Sequence, residues 1–154
     1  MREIKFRGKS IVTGEWLYGS LINNAFFRSN DRAPVPYILD TDKMVYDNFS
    51  DIGEQLDYFE VIPESVGQYT GISDKCNQEV CGGDVIELKE RTVNGFINTH
   101  ICKVFQSDTG AWRLEGRPTH DKSYGTKRML YDVRNRIEII GNIYENPELL
   151  ERIA

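Results

Sequence analysis

Apolar and polar residues alternate with a period of two in several short runs of this chain. Residues 2–7, "REIKFR", set Ile4 and Phe6 against Glu3, Lys5 and Arg7, the pattern of a strand with one wet face. A Thr-Gly turn follows, and "WLYGSLI" (16–22) resumes as a strand whose internal glycine marks a bulge or a close backbone approach. "YILD" (37–40) is short and extended, and "YFEVI" (58–62) is a strand ended by Pro63. "DVIELKER" (84–91) sets Ile86 and Leu88 against Glu87 and Lys89. "GFINTHICKVF" (95–105) and "AWRLEG" (111–116) continue a meander through the turn "SDTG". The last strand, "RIEIIGNIY" (136–144), puts Ile137, Ile139 and Ile143 on one face.

The connecting segments are less patterned. Residues 23–36 read as a loop holding two prolines, and the polar run 41–57 as a short helix or a long loop. "PESVGQYTG" (63–71) is a turn of helix or an extended connector. At the end, Asn146 is placed to cap a helix, Pro147 fits its first position and Glu148 suits the helix dipole. Leu149, Leu150 and Ile153 would pack that helix down. With no internal repeat, residues 1–154 read as a single domain. The expected fold is mainly β, a small barrel-like or sandwich arrangement of short, largely antiparallel strands with a short C-terminal helix.

Composition agrees. The chain has 154 residues, with 2 Trp, 8 Tyr, 7 Phe and 13 Gly, a balance that favours strands over helices. No apolar run is long enough for a membrane span, and "MREIKFRGKS" has no apolar signal region. Three cysteines without a sign of secretion point to reduced thiols and a cytoplasmic setting.

Candidate chemistry concentrates in "GQYTGISDKCNQEVCGGDVIEL" (67–88). Cys76 and Cys81, joined by His100 and Cys102 on a later strand, would give tetrahedral zinc three thiolates and an imidazole. The spacing departs from that of structural zinc sites. Cys102 also reads as a small buried hydrophobe, and a Cys76–Cys81 disulfide is a further alternative in an oxidising setting. The glycines match no phosphate-binding motif and lead into a strand rather than a helix, so the stretch reads as a hairpin. His100 and His120 have no motif partners that would mark a catalytic base. The expectation is therefore a protein without enzymatic activity, metal or cofactor.

The net charge of −5 argues against general nucleic-acid binding. One segment differs: between 113 and 136, Arg113, Arg117, Lys122, Lys127, Arg128, Arg134 and Arg136 stand against three acids. With Trp112, Tyr124 and Tyr131 interleaved, this is a candidate anion or nucleic-acid patch, or else a set of solvated strand edges. Phe26 and Phe27, adjacent in the polar loop "NNAFFRSN", are candidate contacts for a partner protein or a second copy of the chain, or fold back onto the domain.

Three blocks carry a resemblance. "MREIKFRGK…GEWLYG", "VGQYTGISDK…GDVIEL" and "EIIGNIYENPELL" occur in the order and rough spacing of the YopX family of bacteriophage and prophage proteins, and "LYDV" (130–133) matches a step before its last strand. The chain resembles that family over nearly its whole length. Family members read like "DKNGKEIYEGDIV" in the hairpin, so Cys76 and Cys81 stand where asparagine and tyrosine are usual. The resemblance implies a mainly β protein expressed inside a bacterial host, with no assigned activity and no catalytic residues. The expected function is a binding or assembly module acting on a host or phage protein, as a homo-oligomer. The alternative is a nucleic-acid-binding accessory protein using residues 113–136.

Overall fold

The computed structural model describes residues 3–23, 35–40, 58–120 and 125–153. The readings placed on residues 24–34 and 41–57, including those on Phe26 and Phe27, lie outside the described residues. The chain divides into two compact units, Met1–Gln68 and Tyr69–Ala154.

In the first unit, β1 (Phe6–Lys9), β2 (Trp16–Asn23), β3 (Pro36–Asp40) and β4 (Tyr58–Glu60) pair antiparallel in the order β4-β3-β2-β1. The start of β5 (Gly67–Ser73) lies against β1, with Phe6 opposite Gln68 and Arg7 opposite Gly67. Register fixes the inner face: Gly8 opposes Leu17, Phe6 opposes Gly19 and Leu21 opposes Ile38. Leu17, Ile38 and Val61 form the buried centre, with Phe6, Leu21, Phe59 and Val66 packed around it. Ile4 does not share that face as its alternation suggested. It precedes β1 and is 72% exposed, with no described strand paired to it.

Gly8 is required by packing. A Cβ there would come within 2.7 Å of Val61 Cγ2, so the missing side chain lets β1 approach Val61. After β4, Val61 bridges to Ser10, and Pro63 ends the strand by opening one turn of 3-10 helix, Pro63–Ser65. On the other face of β1, the Arg7 guanidinium lies 4.9 Å from the centre of the Trp16 ring.

In the second unit the later residues of β5 pair with β6 (Glu79–Cys81), Tyr69 opposite Cys81. β7 (Asp84–Arg91), β8 (Ile97–Gln106), β9 (Trp112–Pro118), β10 (Thr126–Met129) and β11 (Ile137–Asn142) form an antiparallel sheet in the order β10-β9-β8-β7-β11. β10 and β11 are its two edges and do not pair with each other, so this sheet is open. The barrel half of the sequence expectation is thereby corrected: the sheets are antiparallel but unclosed.

One face of that sheet carries the main core, built from Ile86 and Leu88 of β7, Cys102 and Val104 of β8, Leu114 of β9 and Ile137 of β11. Leu130 and Val133 join it from α1 (Leu130–Val133), a single helical turn after β10. Neither β10 nor α1 was expected from sequence. On the opposite face, Val85 and Ile101 pack with Leu149 of the C-terminal helix α2 (Glu148–Ile153). The helix is therefore where the sequence placed it, but its entry differs. The Asn146 carboxamide oxygen accepts from Asn142 N–H at 3.2 Å instead of capping α2.

A register shift between Ile139 and Gly141 breaks the phase of β11. Ile137 is buried and Ile139 packs against the core, whereas Ile143 is exposed. The three isoleucines do not share one face as expected, because one extra residue in a strand reverses every side chain after it.

Candidate functional site

Residues 67–88 are a hairpin held by two buried carboxylates. Asp74 Oδ1 accepts from the N–H of Cys76 (2.8 Å) and Gln78 (2.9 Å), and its Oδ2 accepts from Ile139 N–H of β11 at 3.0 Å. One side chain thus shapes the turn and ties it to the sheet. Asn77 takes the left-handed conformation there (φ 63°), which asparagine tolerates better than most residues. Asp84 Oδ2 accepts from Cys81 N–H at 2.8 Å and closes the next turn, whose Gly83 has φ 87°.

The four zinc candidates do not converge. Cys76 is exposed on the turn, and Cys81 is buried beside Asp84. His100 and Cys102 share the core face of β8, with Cys102 fully covered. None of the three cysteines is in a disulfide, and no three His, Cys, Asp or Glu side chains among the described residues are grouped to hold a metal. Burial, reinforced by the nearby Glu90 carboxylate, pushes the Cys102 thiol up to about 12. It is a protonated core side chain at neutral pH.

The basic segment is divided by strand alternation. Arg113, Glu115 and Arg117 point to one face of β9. Lys127 of β10 and Lys103 of β8 flank Glu115 there, at 4.0 and 3.4 Å. Arg128 opposes Leu114 and belongs to the other face. Arg134 lies 4.0 Å over the Tyr131 ring and donates to Tyr131 C=O at 2.7 Å, just after α1. Lys122 and Tyr124 lie outside the described residues.

Arg128 and Arg136 meet at a residue the sequence reading passed over. Glu90, at the end of β7 on the core face, has Arg128 at 3.4 Å and His100 Nε2 at 3.6 Å from one carboxylate oxygen, and Arg136 at 3.7 Å from the other. His100 is 3% exposed, and its Nδ1 lies 2.7 Å from Thr126 Oγ1. Its Nε2 is buried without a hydrogen-bond partner. With the carboxylate facing Nε2, the favourable arrangement has the ring proton on Nε2 and Thr126 O–H donating to Nδ1. Burial holds the imidazole below its usual range; Glu90 opposes that effect, while Arg128 and His120 add to it.

The cluster joins β7, β8, β10 and the turn Arg134–Arg136. Alternation from Ile86 and Leu88 does place Glu90 on the core face, which was the available signal. Thr126 gave none, because "TKRM" has no alternating pattern. No described helix is long and apolar enough to cross a membrane.

Two antiparallel sheets and a hairpin pinned by acidic side chains define a β-rich protein. The family model described as YopX protein matches residues 5–151, and the chain belongs to the YopX family. Among solved structures, protein EF1440 from Enterococcus faecalis is similar in fold, with a TM-score of 0.50 at 22% identity over 97% of this chain and 99% of that one. No curated protein matches the chain.

Proposed function

We propose that this YopX-family chain is a phage- or prophage-borne, non-enzymatic binding or assembly module. It acts on a host or phage protein in the bacterial cytoplasm and works as a homo-oligomer. The observation that carries this reading is the turn joining β7 to β8. There Val93 is fully exposed, Phe96 is 73% exposed and Ile97 is 60% exposed.

The exposure is built into an ordered turn. Thr92 N–H donates to Phe96 C=O at 2.7 Å, Gly95 N–H to Thr92 C=O at 2.9 Å, and Phe96 N–H to Thr92 Oγ1 at 3.1 Å. Clustered apolar side chains held out on a hydrogen-bonded tip are a costly arrangement in water and suit a protein contact, where aromatic residues are enriched. The burial of His100 and Cys102, the most chemically versatile side chains of the sheet, supports the non-enzymatic part of the reading.

The test is capture of partners from bacterial lysate on the wild-type protein and on a Phe96→Asp, Ile97→Asp variant, each with and without nuclease. A partner that survives nuclease and is lost with the double variant is the expected result. The alternative, a nucleic-acid accessory using Arg113, Arg117 and Lys127, draws support from their shared face. If binding vanishes with nuclease and steeply with salt while the double variant still binds, that alternative replaces the protein-binding reading.

A further inference from the structure

Around Glu90 the donors outnumber the acceptors. Arg128 spends one N–H on Lys127 C=O and another on Glu90 Oε2. Arg136 reaches Asp132 C=O at 3.5 Å and Glu90 Oε1 at 3.7 Å. Each guanidinium has five N–H groups, so both retain donors beyond these contacts. His100 Nε2 adds a buried donor with no partner.

None of the three approaches to Glu90 is shorter than 3.4 Å. Charge-assisted bonds of this kind settle near 2.7–2.9 Å when the geometry is good. One carboxylate is therefore shared loosely among three donor side chains. Two guanidiniums against that single negative charge also leave the cluster positive. Access is open from one side: the side chains of Arg128 and Arg136 are about half exposed, whereas His100 forms the floor.

We propose that Arg128, Arg136 and His100 form a binding site for a small oxyanion, a phosphate or carboxylate group, and that Glu90 is its built-in competitor. An incoming anion would take the two guanidiniums from Glu90 and, with the carboxylate swung aside, accept a hydrogen bond from the Nε2–H of His100. The same contacts make Glu90 an internal stand-in that keeps the arginines oriented when the site is empty of ligand. The site lies on the core face of β8 and β10, apart from Arg113, Arg117 and Lys127. It is independent of the protein contact proposed above.

Inorganic phosphate and, separately, acetate would be titrated into the protein at constant ionic strength, with binding followed by calorimetry. Saturable binding of one or both is expected, weakened about tenfold by Arg128→Gln or Arg136→Gln. The phosphate and acetate arms decide which oxyanion the site prefers. Glu90→Gln removes the competing charge and should tighten binding several-fold, while Arg152→Gln, on the helix α2 that packs on the other face of the sheet, should leave it unchanged. Circular dichroism on each variant confirms folding, and Arg136→Lys, which keeps the charge, serves if a glutamine variant unfolds. Absence of saturable binding, equal loss with Arg152→Gln, or weaker binding in Glu90→Gln would overturn the proposal.

Discussion

Thr126 Oγ1 lies 2.7 Å from Nδ1 of His100, linking the edge strand β10 to β8 across the intervening β9. Both side chains are buried, at 2% and 3% exposure, so neither can exchange this partner for bulk water. Thr126→Val keeps the shape and removes the hydroxyl, leaving Nδ1 unsatisfied. The expected cost is about 1–3 kcal/mol in urea unfolding, the usual penalty for an orphaned buried polar group. Thr126→Ser should retain most of the stability.

His100 also predicts a pH dependence. Burial disfavours its charged form, so the folded protein binds that proton less readily than the unfolded chain does. Its contribution to stability is present above the unfolded value of about 6.5 and is lost progressively as pH falls from there towards the lower folded value. Glu90 moderates the loss, and Arg128 and His120 deepen it. Urea midpoints measured at about pH 7.5 and about pH 5.5 should differ more in the wild type than in His100→Asn, which cannot titrate in that range.

Asp74 holds three backbone N–H groups from two parts of the chain. Asp74→Ala would orphan all three, and water can reach those in the exposed turn better than that of Ile139. A loss of about 2–4 kcal/mol is expected, with Asp74→Asn less damaging because one acceptor oxygen remains. Amide hydrogen exchange at Ile139 should rise in Asp74→Ala. Unchanged protection there would show that the tie to β11 does not depend on this carboxylate.

Gly8 and Gly116 are close-approach glycines of different kinds. The three atoms nearest a Cβ at Gly8 all belong to the Val61 side chain, so Gly8→Ala should cost about 1–3 kcal/mol and be partly rescued by Val61→Ala. A Cβ at Gly116 meets the backbone of Ile101 and Cys102. No side-chain trimming can relieve that clash, so Gly116→Ala should be the more damaging change, with no rescue by Cys102→Ala. Thermal melts of the singles and doubles would separate the two cases.

The three thiols should differ in reactivity. Cys76 is exposed, whereas Cys81 and Cys102 are buried and Cys102 is pushed up to about 12. A thiol-reactive chromophore should label one cysteine quickly in the native protein and the other two only on unfolding. Fast labelling of two or three would contradict the buried positions of Cys81 and Cys102.

The sequence by itself determined the strand content, the hairpin at 67–88 and the C-terminal helix. Each is written in local chemistry: alternation at Ile86 and Leu88, turn residues from Asp74 to Gly83, and Pro147 opening a helix. Tertiary structure decided what lies far apart in the chain. Whether the sheet closes depends on β10 and β11, which leave two edges. The fate of Ile143 depends on the shift after Ile139, which local alternation does not encode. Glu90, His100, Thr126, Arg128 and Arg136 become one cluster only because strand pairing sets the ends of β7, β8 and β10 side by side. The same pairing separates Arg128 from its sequence neighbour Lys127, since adjacent residues on a strand face opposite ways. A run of positive charge in the sequence is thereby split between two faces.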